Sequence, residues 1–280
     1  MKKDGTLREC FDAEPALKSI QERIKMRILR RVSYPYYLMG GISDPAHPRD
    51  HLRNAAYHSG ARVMANLDIA DFFPSISSQA VSTIWQRFFG FSEAVAKILT
   101  ALTTHRGMLP QGAKTSSHLA NLAFWRSESQ LVERLQERGI RYSRFIDDIT
   151  ISSPSNLSRE ALTSTLNKCF ALIYGNGFRT KRSKQRLTRA GDRMDVTGVV
   201  VGKTGPSLAP ERRARIRAAV HRCEIVFREC GESHEFRKLF HSTTSMVGQM
   251  SRLHQIESEK LKLRLAQIRN CQPGNRIAPR

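Results

Sequence analysis

Residues 142–152 read Tyr142-Ser-Arg-Phe-Ile-Asp-Asp-Ile-Thr-Ile-Ser152, and the paired carboxylates in the middle of that apolar run decide the fold. Aromatic and β-branched residues on both sides favour extended backbone. The stretch therefore predicts two short strands, Tyr-Ser-Arg-Phe-Ile and Ile-Thr-Ile-Ser, meeting at Asp147–Asp148. A second strand with an acid at its end lies upstream, in Arg62-Val-Met-Ala-Asn-Leu-Asp-Ile69. Taken singly, Asp68, Asp147 or Asp148 is explained by a salt bridge or a cap. Taken together, three carboxylates on apolar strands need a cation to offset desolvation and mutual repulsion. Asp68 and Asp147 are 79 residues apart, so only the fold can unite them.

The 280 residues, 31.8 kDa, suffice for one large or two modest domains. Against that acidic cluster stand 46 Lys+Arg and 25 Asp+Glu, a formal charge of +21 and a pI near 10.5. A charge of this size repels itself in a folded chain, and a polyanion such as nucleic acid is the economical partner. No apolar run approaches the roughly 20 residues of a membrane span. The start, Met1-Lys-Lys-Asp-Gly-Thr6, lacks the apolar core of a secretory leader, which predicts a cytoplasmic protein. The five cysteines, Cys10, Cys169, Cys223, Cys230 and Cys271, include no Cys-x-x-Cys pair and read as reduced structural thiols.

Outward from the paired acids, the chain alternates between helical and extended patterns. Ala16, Leu17, Ile20, Ile24, Ile28 and Leu29 predict a helix over 14–32, and residues 39–50 form a Gly/Pro loop. Val81, Ile84, Trp85 and Phe88 mark a helix capped by Ser77 or Ser78. A loop over 106–112 precedes one predicted helix from about Ser116 to Arg138. Leu162, Leu166, Cys169, Phe170 and Ile173 mark another, closed by Gly175-Asn-Gly177. Val196 to Gly202 reads as a strand. From Arg179 to Arg217 twelve Lys/Arg face three acids, forming either a solvated face or a phosphate track. Beyond about 205 the pattern is helical, and Gln272–Arg280 reads as a basic tail. The expected class is α+β, a small antiparallel sheet flanked by helices (1–204) followed by a helical appendage (205–280).

Hard oxygen ligands on rigid strands suit Mg²⁺. Two such ions would lower the pKa of an attacking hydroxyl and stabilise departing pyrophosphate.

Three segments carry a resemblance. Asn66-Leu-Asp-Ile-Ala-Asp-Phe-Phe-Pro-Ser-Ile76, Leu109-Pro-Gln-Gly-Ala-Lys-Thr-Ser116 and Phe145-Ile-Asp-Asp148 resemble, in order, the palm motifs of reverse transcriptases. Asn54-Ala-Ala-Tyr-His58 and Val196-Thr-Gly198 are similar to the Asn-Ala-x-x-His and Val-Thr-Gly signatures of bacterial retron reverse transcriptases. The resemblance implies a right-hand polymerase fold, with fingers and palm in 1–204 and a thumb in 205–280. It also implies an RNA-directed DNA polymerase that copies a cognate structured non-coding RNA into short single-stranded DNA (msDNA), in antiphage defence with a separately encoded effector. No membrane partner is implied.

By the same resemblance, Asp68, Asp147, Asp148 and the carbonyl of Ile69 would hold two Mg²⁺ ions, Mn²⁺ being an alternative. Asp71 would lie beside the incoming dNTP, Phe73 would reject a 2′-hydroxyl, and Gln111 and Gly112 would face the nascent base pair. Phe73 also fits a core aromatic like Phe72. Lys184 matches a general acid for pyrophosphate or a plain phosphate clamp. Asn54, His58, Val196, Thr197 and Gly198 would touch RNA, although His58 also reads as a packing residue and 196–198 as strand plus turn; Lys181 and Arg182 would do so if the basic stretch is a phosphate track. The pattern departs from the family at Phe145, where tyrosine is usual, at Lys114, where proline is common, and around Arg8, where the fingers pattern is short. Group II intron, diversity-generating and abortive-infection reverse transcriptases share the palm motifs, and a silent RNA-binding module would share the fold. The 63 residues after Arg217 suit a thumb better than maturase and endonuclease modules.

Overall fold

A computed structural model of the chain describes residues 11–231 and 233–270. Cys10, Cys271, Arg8 and the tail from Gln272 lie outside the described residues. The chain divides into two compact units at Thr204–Gly205.

The first unit is organised by a four-stranded antiparallel sheet in the order β2-β3-β1-β4, where β1 is Val63–Asp68, β2 Arg141–Phe145, β3 Asp148–Ser153 and β4 Arg186–Arg189. β1 lies between β3 and β4 and is almost wholly buried, which explains its near-continuous apolar sequence. Because side chains alternate along a strand, the two sheet faces differ in chemistry. Leu67, Ile149, Ile151 and Tyr142 face the main core with Phe72, Trp85, Leu109, Phe124 and Ile173. Asn66 and Asp68 of β1, Asp148, Thr150 and Ser152 of β3 and Ser143 of β2 fall on the other face, in register across the ladders.

Helices supply the remainder. α1 spans Pro15–Arg27 and gives way to a 3₁₀ turn at Leu29–Arg31, so the predicted helix is shorter at its C-terminus. α2 (His51–Tyr57) is capped by Asp50, whose side chain accepts from Leu52 and Arg53. α3 is the single turn Phe72–Ser75, and α4 (Ser78–Thr83), capped by Ser77, continues as a π turn through Phe88. α5 covers Glu93–Thr103.

The helix expected over 116–138 is two, α6 (Ser116–Asn121) and α7 (Glu128–Gln136). Between them, amides bond three residues back, as from Leu122 to Leu119 and from Trp125 to Leu122. These tight turns bring Phe124 into the core, stacked on Phe72. α8 (Arg159–Gly175) ends at Asn176, with Gly177 at φ +80°.

The strand expected over 196–202 is a hairpin, β5 (Asp195–Val196) and β6 (Val199–Val201). Thr197 and Gly198 both have positive φ, +48° and +79°, the demand of the two-residue turn that matches strand twist.

Among the described residues the second unit has three mutually packed helices, α9 (Pro210–Cys230), α10 (His234–Ser251) and α11 (Gln255–Asn270). Ile216, Val220, Phe236, Val247, Met250, Leu261 and Leu265 form its core. Arg213 and Arg217 pair with Glu257, and Arg264 with Glu224. Cys169 and Cys223 are buried free thiols. Among the described residues no helix is long and apolar enough to cross a membrane.

Candidate active site

The polar face of the sheet is closed at one end and open at the other. At the closed end, α2 lays Asn54 and His58 on it, both completely buried. Ser143 Oγ donates to Asn54 Oδ1 at 2.6 Å and lies 2.8 Å from His58 Nε2, while His58 Nδ1 is 2.7 Å from Ser152 Oγ. With its own proton given to Asn54, Ser143 accepts from Nε2–H, and Ser152 then donates to Nδ1. Burial, with Arg141 nearby, pushes the His58 pKa down to about 3, so the ring stays neutral. Asn54 and His58, expected to touch RNA, are here buried against the polar interior face of the sheet.

At the open end, β1 and β3 put Asp68 opposite Asp148. A cavity of about 280 Å³ opens over them, lined also by Asn66, Thr150, Lys184, Thr197 and Gly198. Asp147 sits in the adjacent turn, its carbonyl accepting the Ile69 amide at 3.0 Å, which ties the end of β1 to the hairpin. Burial is the main reason that the Asp148 carboxyl is pushed up to about 7; the charges of Asp147 and Asp68 and a hydrogen bond to Asp68 add to it, and Lys184 opposes it. Lys184 ends the 3₁₀ turn Arg182–Lys184; the Lys181 amide just before that turn bonds the Asp68 carbonyl at 2.8 Å, and Lys184 Nζ meets Asp68 Oδ2 at 2.5 Å. Partial burial works against the ammonium, but the bond to Asp68 and the charges of Asp68, Asp148 and Asp147 outweigh it and raise its pKa.

The donor set fits a hard divalent cation: the carboxylates of Asp68 and Asp148 line one cavity, Asp68 is only 4 % exposed, and burial with the neighbouring acids raises the Asp148 pKa, a cost that a cation would offset. Among the described residues no three acidic, His or Cys side chains are gathered closely enough to ligate an ion as they stand. Lys184 supplies the opposing charge at Asp68 instead.

The other expected residues fall in three places. Asp71 is exposed at φ +43° before α3; Phe73 is half-buried, whereas Phe72 is in the core. Gln111 and Gly112 lie under Phe11, whose amide bonds the Gln111 carbonyl at 3.0 Å; a Cβ on Gly112 would stand 3.3 Å from the Phe11 carbonyl. Arg182 is exposed and Lys181 half-buried beside the site.

The β5–β6 hairpin packs on α2, Thr197 Oγ1 donating to the His51 carbonyl at 3.3 Å, and Asn66 Nδ2 bonds the Asp195 carbonyl at 3.3 Å. Two residues that the sequence did not single out are Arg144 and Glu128, a fully buried ion pair behind the Asp147 turn. An arginine inside the strand pattern of 142–146 was the available signal.

Residues 1–201 match the family model described as reverse transcriptase (RNA-dependent DNA polymerase). The chain is 35% identical over 264 residues to the retron Se72 reverse transcriptase of Salmonella heidelberg, covering 93% of this chain and 69% of that one. It belongs to the retron reverse transcriptases. The retron Ec48 reverse transcriptase of Escherichia coli is 26% identical over 277 residues, 95% of this chain and 67% of that protein.

Among solved structures, telomerase from Candida albicans, in complex with a TWJ fragment of telomeric RNA, superposes with a TM-score of 0.50 at 10% identity. The match covers 92% of this chain and 48% of the telomerase, and it speaks to the fold alone. That fold is the right-hand polymerase fold, and the enzyme class of the family is RNA-directed DNA polymerase.

Proposed function

We propose that this reverse transcriptase copies part of a cognate structured non-coding RNA into short single-stranded DNA, msDNA, consuming dNTPs. The observation that carries the reading is the pairing of Asp68 with Asp148 in an open polar cavity, with Asp147 in the next turn and Lys184 against Asp68. In this reading Asp68, Asp147, Asp148 and the Ile69 carbonyl hold two Mg²⁺ ions, with Mn²⁺ as a substitute. Bound there, the metal would activate the primer hydroxyl and offset charge on the departing pyrophosphate.

The chain's own residues do the rest. Asp68 keeps Lys184 protonated, ready to donate to or clamp pyrophosphate. Asp71 and half-buried Phe73 border the incoming nucleotide. Gln111 and Gly112 support the nascent pair, while Thr197 and Gly198, on the cavity wall beside Val196, and the cations Lys181 and Arg182 meet RNA and product DNA. Residues 1–204 serve as fingers and palm and 205–280 as thumb. In this reading the enzyme works in the cytoplasm, in antiphage defence with a separately encoded effector.

Asp147→Asn should abolish Mg²⁺-dependent DNA synthesis and leave RNA affinity nearly unchanged; full synthesis by that variant refutes the site. Nucleic acid co-purifying with the protein should include a branched RNA–DNA species. Heterogeneous RNA alone would favour a binding module.

A further inference from the structure

The turn that carries Asp147 adopts a conformation its sequence disfavours. Ile146 has φ +62°, in the left-handed region that a β-branched residue avoids and that glycine takes in tight hairpins. The restraint comes from behind. Arg144, fully buried, donates from Nη1 to the Ile146 carbonyl at 3.0 Å. Its Nε and Nη2 are committed to the two oxygens of Glu128 at 2.6 and 2.8 Å, and Nη2 also reaches the Asn121 carbonyl at 2.9 Å. Tyr142 donates to the same carboxylate at 2.8 Å, so Glu128 is held in turn.

The loop carrying Gly40 and Gly41 presses on the turn as well. A Cβ on Gly40 would meet the Phe145 ring at 2.9 Å, and one on Gly41 would meet Ile146 Cδ1 at 2.5 Å and Ser117 Cβ at 2.8 Å. Asn121 Nδ2, bonded to the Gly40 carbonyl at 2.8 Å, ties that loop to the same network.

We infer that Arg144 and Glu128 are positioning residues of catalysis: with Gly40–Gly41 they hold the Ile146 peptide in its left-handed setting and so fix where Asp147 and Asp148 point. The inference rests on the polymerase reading, since the pair has no chemistry of its own. Replacing a buried ion pair by apolar residues of similar volume is often neutral for stability. What is lost is direction, because methionine cannot donate to the Ile146 carbonyl.

The test is Arg144→Met combined with Glu128→Met. The variant should still fold, melting somewhat below wild type because the buried Tyr142 hydroxyl loses its acceptor, and should bind RNA unchanged, yet lose about tenfold to a hundredfold in kcat for dNTP incorporation with KM little altered. Hydrogen exchange at the Ile69 amide, bonded to the Asp147 carbonyl, should speed up. Adding Ile146→Gly should recover part of kcat, because glycine takes the left-handed setting without strain. Gly41→Ala, from the exposed side and with the ion pair intact, should lower kcat too.

A folded double variant with wild-type kcat, or no recovery on adding Ile146→Gly, overturns the assignment. If the double variant does not fold, wild-type kcat in Gly41→Ala does so. A wild-type protein that extends no primer refutes the polymerase reading instead, and the Ile69 exchange rates then decide whether the pair holds the turn.

Discussion

Asp148→Asn should make the metal-free protein more stable while destroying its activity. The carboxyl ordinarily titrates at 3.8 and here at about 7, chiefly because it is buried and secondly because Asp147 and Asp68 are near. A folded-state pKa above the unfolded one means that the contribution to stability is complete below pH 3.8 and is lost as pH rises through about 7. Ionising the group at neutral pH therefore costs about 4 kcal/mol. Asparagine is nearly isosteric, stays neutral and can still donate to Asp68, so it escapes that penalty. In a unit of this size the gain corresponds to roughly 8–16 °C in melting temperature.

The assay is thermal melting of wild type and variant with a chelator, from pH 4.5 to 8.5, followed by Mg²⁺ addition at pH 7.5. The difference between the proteins should vanish towards pH 4 and plateau above pH 7. Mg²⁺ should raise the wild-type midpoint more than the variant's. A variant no more stable than wild type at pH 8 would refute the crowding of the three carboxylates, and with it the reason for expecting a cation there.

Other consequences follow from the same geometry. Lys184→Ala should slow nucleotide incorporation about a hundredfold if its ammonium donates a proton, and Lys184→Arg should leave a pH-independent residue of activity; equal rates in all three proteins would exclude the role. His58, neutral with a pKa of about 3 when folded, gives stability that is complete above pH 6.5 and is lost as pH falls towards 3, up to about 1.4 kcal/mol per pH unit. His58→Gln should therefore flatten the acid limb of the melting profile relative to wild type, and an unchanged limb would contradict the burial. Lys181→Glu with Arg182→Glu should weaken RNA binding and lower the slope of log affinity against log salt by about 1 for each phosphate no longer neutralised. An unaltered slope would make the segment a solvated face.

Much of the site is legible along the chain because its signals are local. Asp147–Asp148 between β-branched runs announces a reversal on a buried strand, and Asp68 at the end of an apolar run announces its counterpart, since each strand's own alternation decides which face a residue joins. The charge of +21 speaks for a polyanionic partner in the same direct way. Local pattern failed where a neighbour from elsewhere intervened. Turns over 122–127 split one expected helix so that Phe124 could stack on Phe72, and a left-handed Thr197–Gly198 pair folded one expected strand into a hairpin.

The identity of the acids was thus written in the chain, along with the strands that bear them. Their convergence was not: Asp68 faces Asp148 because of a ladder register between strands some eighty residues apart, and register depends on the whole sheet's packing. Tertiary structure likewise decided that α2 covers one end of the polar face. That burial makes Asn54 and His58 interior groups and leaves the carboxylate end open. It also closed Glu128 and Arg144 behind the Asp147 turn, where the buried guanidinium donates to the carbonyl of Ile146 at φ +62°.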